Sequence, residues 1–264
     1  MFFIIVLFIL TIINLIPFIF VSLSPWFFFL WVIVSFIFSL LVEALIIYLY
    51  LSLCSIKDPK KKFRHFLLRN ALQLTLMFEH IKVTTKGKEN IPSDNHFVVY
   101  ANHKSMIDPV IILYEMNKTM TVVGKSTLFK HKFLDRLRQV YGVVSMDRDN
   151  DRSAIKSLNL AIDYVKNSYP VLIFPEGGIK TRETEEMVSL RAGAYKIATK
   201  SNGMVLPVSI IGSSKINDKK WYKRLKVTVI FHKPITPSEY EGMNTTELGT
   251  KVEEIINKAI RDEK

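Results

Sequence analysis

The residue types able to do chemistry are gathered in three short stretches of this 264-residue chain. The first is Asn102-His103-Lys104-Ser105-Met106-Ile107-Asp108-Pro109. On an unbroken helix, five residues advance about 140° past a full revolution, which would splay His103 and Asp108 apart. Pro109 argues for a turn instead. Proline disfavours helical geometry at the residue before it and is favoured as the first residue of a helix. Asp108 is then expected as the N-cap of a helix over 109–117, leaving His103 at the end of the preceding strand. Asp108 can there accept a hydrogen bond from one ring nitrogen, with the other free to take a proton from a hydroxyl. A surface histidine followed by a capping aspartate would give the same residues.

The second stretch, Phe174-Pro175-Glu176-Gly177-Gly178, directly follows the apolar run Val171-Leu172-Ile173. Two adjacent glycines let the backbone turn sharply and come close to a ligand. Lys180, Arg182 and Arg191 follow, cations suited to a phosphate. A strand-to-helix connection with solvated charges reads the same way. The third stretch, Val205-Leu206-Pro207-Val208-Ser209, sets a proline inside an apolar run, which points to an edge strand, a bulge or a pocket wall.

The elements that must position these stretches alternate in period. Short apolar runs at 96–101, 121–124, 141–145, 171–174, 204–211 and 227–231 read as buried strands. Segments 63–81, 109–117, 152–167, 188–200 and 245–262 carry helical spacing. Strands alternating with helices imply an α/β layer architecture, with a largely parallel sheet flanked by helices.

Charge divides the chain in two. It carries 36 Lys and Arg against 24 Asp and Glu, a net +12. Residues 1–56 hold none of the cations and one acid, Glu43, so all the basic character belongs to residues 57–264. Two apolar runs fill the head, from Met1 to Val21 and from Trp26 to about Ile56, each long enough for the roughly 30 Å of a bilayer's hydrocarbon core. Lys57, Lys60, Lys61, Lys62, Arg64 and Arg69 come next, a flank that the positive-inside rule keeps cytoplasmic. The expectation is a membrane-anchoring helical hairpin over 1–56, spanning fully or entering one leaflet, and an α/β domain over 57–264 on the cytoplasmic face of the cell membrane. A basic start and a small-residue cleavage site, the marks of a removable signal peptide, are lacking.

Other function classes fall away. The apolar content of 49% excludes a disordered protein. Cys54 is the only cysteine, so no disulfide framework forms within the chain. The six histidines lack metal-ligand spacing such as H-E-x-x-H, no G-x-S-x-G elbow occurs, and no nucleic-acid fold signal accompanies the basic charge. Neither a metal nor a cofactor is expected, and no nucleic-acid partner.

Taken together and in this order, the motifs resemble those of the glycerolipid acyltransferase superfamily, most nearly its 1-acyl-sn-glycerol-3-phosphate acyltransferases. The N-H-x4-D signature is matched by Asn102, His103 and Asp108, and the block K…G…(I/V)-x-R by Lys125, Gly142, Val143-Val144 and Asp147-Arg148. F-P-E-G is matched by Phe174–Gly177, and (V/L)-P-V by Leu206–Val208. The resemblance covers roughly residues 80–235. It implies transfer of an acyl group from acyl-CoA or acyl-carrier protein to the sn-2 hydroxyl of lysophosphatidic acid, giving phosphatidic acid. His103 is then the general base and Asp108 its orienting partner. Substrate binding falls to Asn102, Lys125, Arg148, Glu176, Gly177, Gly178, Lys180, Arg182 and Pro207, with Lys125 a candidate for the oxyanion. Where the family commonly has Thr-Arg after the motif's glycine, this chain has Gly178-Ile179. Either Arg182 or Lys180 then takes the phosphate, or the acceptor is glycerol-3-phosphate or another lysophospholipid. An inactive lipid-binding protein would lack the histidine or the aspartate, and both are present.

Overall fold

A computed structural model describes residues 2–19, 25–53, 62–147, 150–220 and 222–263. The chain divides into two compact units, residues 1–58 and 59–264.

In the first unit, α1 (Phe2–Ile19) and α2 (Pro25–Leu53) pack against each other. Within α2, Trp26–Tyr50 is long and apolar enough to cross a membrane, with a mean hydropathy of 2.6. Ser35, Ser39 and Glu43, four residues apart, form a buried polar stripe in this otherwise apolar helix. Asn14 of α1 donates to Ser39 Oγ at 3.3 Å, and Trp31 Nε1 donates to the Asn14 carbonyl at 3.0 Å. Small and polar side chains are what hold apolar helices together where lipid offers no hydrophobic drive. Cys54 and the cations at 57, 60 and 61 lie outside the described residues.

The second unit opens with α3 (Lys62–Phe78), then β1 (Ile81–Lys86), β2 (Phe97–Ala101), α4 (Asp108–Met116) and β3 (Thr121–Lys125). It continues with α5 (Lys132–Val140), β4 (Val144–Met146), α6 (Asp151–Lys166), β5 (Val171–Ile173) and α7 (Lys196–Ser201). It closes with β6 (Met204–Ile211), β7 (Leu225–Phe231) and α8 (Thr245–Asp262). One sheet results, in the order β1-β7-β6-β2-β5-β3-β4. The five strands from β6 to β4 are mutually parallel; β7 is antiparallel to β6, and β1 runs parallel to β7.

Both faces of the sheet are covered, as a parallel sheet requires. Phe97, Val99 and Ala101 of β2 pack with Leu76 of α3 and with Ile111 and Ile112 of α4. Val98 and Tyr100 face the other way, toward Ile162 of α6, Ile197 of α7 and Val252 and Ile256 of α8. All five β2 residues are fully buried, which is why the run has no polar alternation.

Several expectations shift. Ile81 begins β1 rather than ending a helix over 63–81: α3 stops at Phe78, His80 takes φ 50°, and Ile81-Lys82-Val83 alternates as a strand. The helix expected over 188–200 is a 3₁₀ turn at Ala192–Tyr195 followed by α7. Its first residues are held elsewhere, Val188 N–H by Glu176 and Arg191 N–H by the Pro175 carbonyl at 3.0 Å. Pro207 does not mark an edge, since β6 lies between β7 and β2. It marks a bulge. Val208 pairs with Phe231, but Val205 pairs with Ile235, so the register slips by one residue where the proline has no N–H to give. The sequence reading identified neither β1 nor α5.

Past β7, His232 Nε2 lies 2.8 Å from Ser209 Oγ, whose hydroxyl donates to the Ile256 carbonyl at 3.1 Å. Burial lowers the His232 imidazole to about 4, against 6.5 in the open chain. The unfolded chain therefore gains a proton near pH 6.5 that the folded protein refuses until about pH 4. Stability from this site is complete above that window and is lost as the pH falls through it. Between about pH 7 and pH 5 the loss comes to about 2 kcal/mol. Urea midpoints of detergent-solubilised protein at the two pH values should show this loss, and His232→Gln should remove most of it. An unchanged pH dependence in the variant would locate the titration elsewhere.

Candidate active site

The site forms at the carboxyl ends of the parallel strands, where open α/β sheets place their ligands. As β2 ends, the side chain of Asn102 takes the place of a further strand residue. Its amide donates to the carbonyls of Ile210 (2.7 Å) and Glu185 (2.9 Å), and its oxygen accepts the Ile210 N–H at 2.8 Å. Asn102 is fully buried, and the next residue is fixed in consequence.

His103 is held at three points. Its backbone N–H donates to Glu176 Oε1 at 2.7 Å, its ring stacks on Phe174 at 4.2 Å, and its Nδ1 lies 3.0 Å from Asp108 Oδ2. The carboxylate accepts, so Nδ1 carries the hydrogen. Nε2 takes no hydrogen bond from any described residue. The ring keeps 13% exposure while Asp108 has none.

Asp108 occupies the first turn of α4, with Ile107 as the capping residue, one place from the expected cap. Its Oδ2 turns back to accept the N–H groups of Lys104 and Ser105, each at 2.7 Å, besides His103 Nδ1. Three donors on one oxygen lock the turn 103–108.

Glu176 is the hub beneath. Its oxygens take the His103 N–H, the Val188 N–H (3.3 Å) and the Lys104 ammonium (3.1 Å), and both charged side chains have zero exposure. Burial pushes the Glu176 carboxyl above the usual range, opposed by the His103 N–H and by Lys104. Gly177 follows with φ 74°, and a Cβ there would collide with Arg191 Nε, so the Arg191 side chain lies directly on the glycine turn. Gly178 takes φ 145°. Arg182 Nε donates to the Lys104 carbonyl at 3.1 Å, bringing that guanidinium to the His103 loop.

The expected residues thus separate. Asn102 and Glu176 lie under the loop, fully buried, their hydrogen bonds made to the protein. Pro207 is buried in β6 beside Tyr100 of β2. Gly177, Gly178, Arg182 and Arg191 line the turn after β5. Lys180 is exposed, as is Lys125 at the end of β3, one strand beyond β5. Arg148 lies outside the described residues.

Two members escaped the sequence reading. Lys104 is one, inside the motif but resembling any surface lysine. The other is Glu185, whose carboxylate takes the Gly212 N–H (2.9 Å) and the Ser214 hydroxyl (2.6 Å). Nothing in its surroundings distinguishes it from Glu183 or Glu186.

A family model described as Acyltransferase matches residues 82–211, the span that holds His103, Asp108, Glu176 and the glycine turn. Nearly half of the chain, all of it within the α/β unit, thus matches the Acyltransferase family. Its relatives agree on a reaction. A chloroplastic 1-acyl-sn-glycerol-3-phosphate acyltransferase of Arabidopsis thaliana is 29% identical over 188 residues, 69% of this chain and 51% of that protein. The 1-acyl-sn-glycerol-3-phosphate acyltransferase of Borreliella burgdorferi is 27% identical over 69% of this chain and 74% of its own length. The crystal structure of the 1-acyl-sn-glycerophosphate acyltransferase PlsC from Thermotoga maritima superposes with a TM-score of 0.67 at 25% identity, covering 84% of this chain and 88% of that one. The chain spans about half the length of the plant relative and most of the bacterial ones. Among the described residues, the His103–Asp108 pair sets a partly exposed imidazole on a fully buried carboxylate.

Proposed function

We propose that this protein transfers an acyl group from a thioester, acyl-CoA or acyl-carrier protein, to the sn-2 hydroxyl of lysophosphatidic acid, releasing phosphatidic acid. The observation that carries the reading is a histidine whose Nδ1–H is committed to a buried carboxylate, leaving Nε2 as a base at the carboxyl edge of the sheet. Nε2 takes the hydroxyl proton as the acceptor oxygen attacks the thioester carbonyl. Asp108 stabilises the imidazolium that forms. The tetrahedral intermediate collapses, the C–S bond breaks, and the proton passes from His103 to the departing thiolate. No acyl-enzyme is needed. Lys125 or backbone N–H groups stabilise the oxyanion; Lys104 is spent on Glu176.

Arg182 and Arg191 are the cations offered to the acceptor phosphate, one bonded to the His103 loop and the other lying on the glycine turn. They stand in for the arginine that the family motif has at the position of Ile179. Residues 1–56 anchor the enzyme in the membrane, and the basic flank keeps the α/β domain on the cytoplasmic side of the cell membrane.

The test is acyl transfer by purified protein from each thioester donor to lysophosphatidic acid, glycerol-3-phosphate and lysophosphatidylcholine in parallel. Phosphatidic acid formed from lysophosphatidic acid alone supports the assignment. Transfer to another acceptor alone would move the substrate while keeping the chemistry. No transfer to any acceptor would leave a lipid-binding protein.

A further inference from the structure

The turn that leaves β3 and enters α5 exposes large apolar side chains among cations. Leu128, Phe133 and Leu134 are 42%, 44% and 42% exposed, and between them Lys130, His131 and Lys132 are exposed as well. The one acid from residue 125 to 138 is Asp135, and it is held by Arg138 Nε (2.7 Å) and Gln139 (2.6 Å).

The segment is braced, so these side chains are not a frayed end. Phe129 turns inward, its ring 3.1 Å from where a Cβ on Gly124 would stand, and the Arg138 guanidinium lies 5.9 Å from its centre. Val140 anchors the far end of α5 in the core.

Single exposed apolar residues are ordinary on any protein. Three within seven residues, interleaved with cations, have the composition of a segment that lies in a membrane interface. Lysines there match anionic headgroups, and leucine and phenylalanine match the acyl boundary beneath. The platform also sits at the carboxyl end of β3, on the same edge of the sheet as the His103 loop.

We propose that residues 128–134 insert into the surface of an anionic leaflet and hold the mouth of the site against the lipid. An acidic protein would satisfy the cations. It would give the three outward apolar side chains no particular reason to cluster, and this chain already carries a helix long enough to cross a membrane.

The test uses the full chain in vesicles and reads position, not turnover, so it stands apart from the identity of the acceptor. An environment-sensitive label is placed by Leu134→Cys in a Cys54→Ser background, with Ile155→Cys on α6, 58% exposed, as the reference. Vesicles are phosphatidylcholine with or without about one-third phosphatidylglycerol, doped with a spin-labelled lipid quencher. In the anionic vesicles the label at 134 should be quenched at least about threefold more than the label at 155, with the excess falling on Lys130→Glu with Lys132→Glu. Far-ultraviolet circular dichroism confirms that each variant is folded. Equal quenching at the two positions overturns the proposal. So does a label at 134 shielded by acidic acyl-carrier protein but untouched by the lipid quencher, which would assign the surface to a protein partner.

Discussion

His103→Ala should lower acyl transfer by about 10²–10⁴-fold, the usual contribution of a positioned general base. The side chain shares its structural duty with backbone groups that outlast its removal. The fixed elements of the loop are the His103 backbone N–H on Glu176 and the three donors on Asp108, two of which are backbone groups that survive the substitution. Thermal unfolding should therefore move little while kcat collapses. Asp108→Asn should reduce the rate as well, and it should lower the melting temperature, because it replaces the carboxylate that also locks the turn. Turnover at saturating donor, measured beside a melting curve for each variant, separates the two roles. A His103→Ala enzyme retaining more than about a tenth of the wild-type rate would remove histidine from the mechanism.

The largest stability effect should come from Lys104→Met. It leaves the Glu176 carboxylate at zero exposure without its counter-charge, and breaking one side of a buried pair typically costs about 3–5 kcal/mol. For a domain of this size that is a fall of about 10 °C in melting temperature. The cost should depend on pH. Burial already raises the Glu176 carboxyl, and Lys104 is among the groups holding it down. Without the lysine the folded protein binds a proton more tightly than the unfolded chain, so the penalty shrinks as the pH falls. Adding Glu176→Gln to Lys104→Met should recover part of the lost stability, since a neutral amide needs no counter-charge. Melting temperatures of the two single variants and the double variant, at two pH values, give the coupling between the sites. Simple additivity would mean that the pair does not act as a unit.

How much of this was legible in the sequence varied with the range of the forces involved. The buried strands announced themselves, because β2 and β5 are covered on both faces and so lack polar residues. His103 and Asp108 were readable because Pro109 forces a turn between them, a local effect. Their partners were not. Lys104, Glu176 and Glu185 are charged residues at zero or low exposure, and sequence offers no sign that a charge is buried until its counter-group is known. Lys104 meets Glu176 across 72 positions and Asn102 meets Ile210 across 108. The helix expected over 188–200 failed for the same reason, since its first turn gives its N–H groups to a distant carboxylate and carbonyl. Pro207 signalled an irregularity, but whether at an edge or inside the sheet depended on where β7 returned.

The pairing of Asn102 with Ile210 also sets a timetable. A ribosome adding about 5–20 residues per second needs roughly 5–20 s to make the intervening stretch. Through that interval the Asn102 side chain has no β6 backbone to pair with, and the end of β2 stays unfastened on that side. The loop that carries His103 is thus fastened on its last side only when the far side of the sheet has been synthesised.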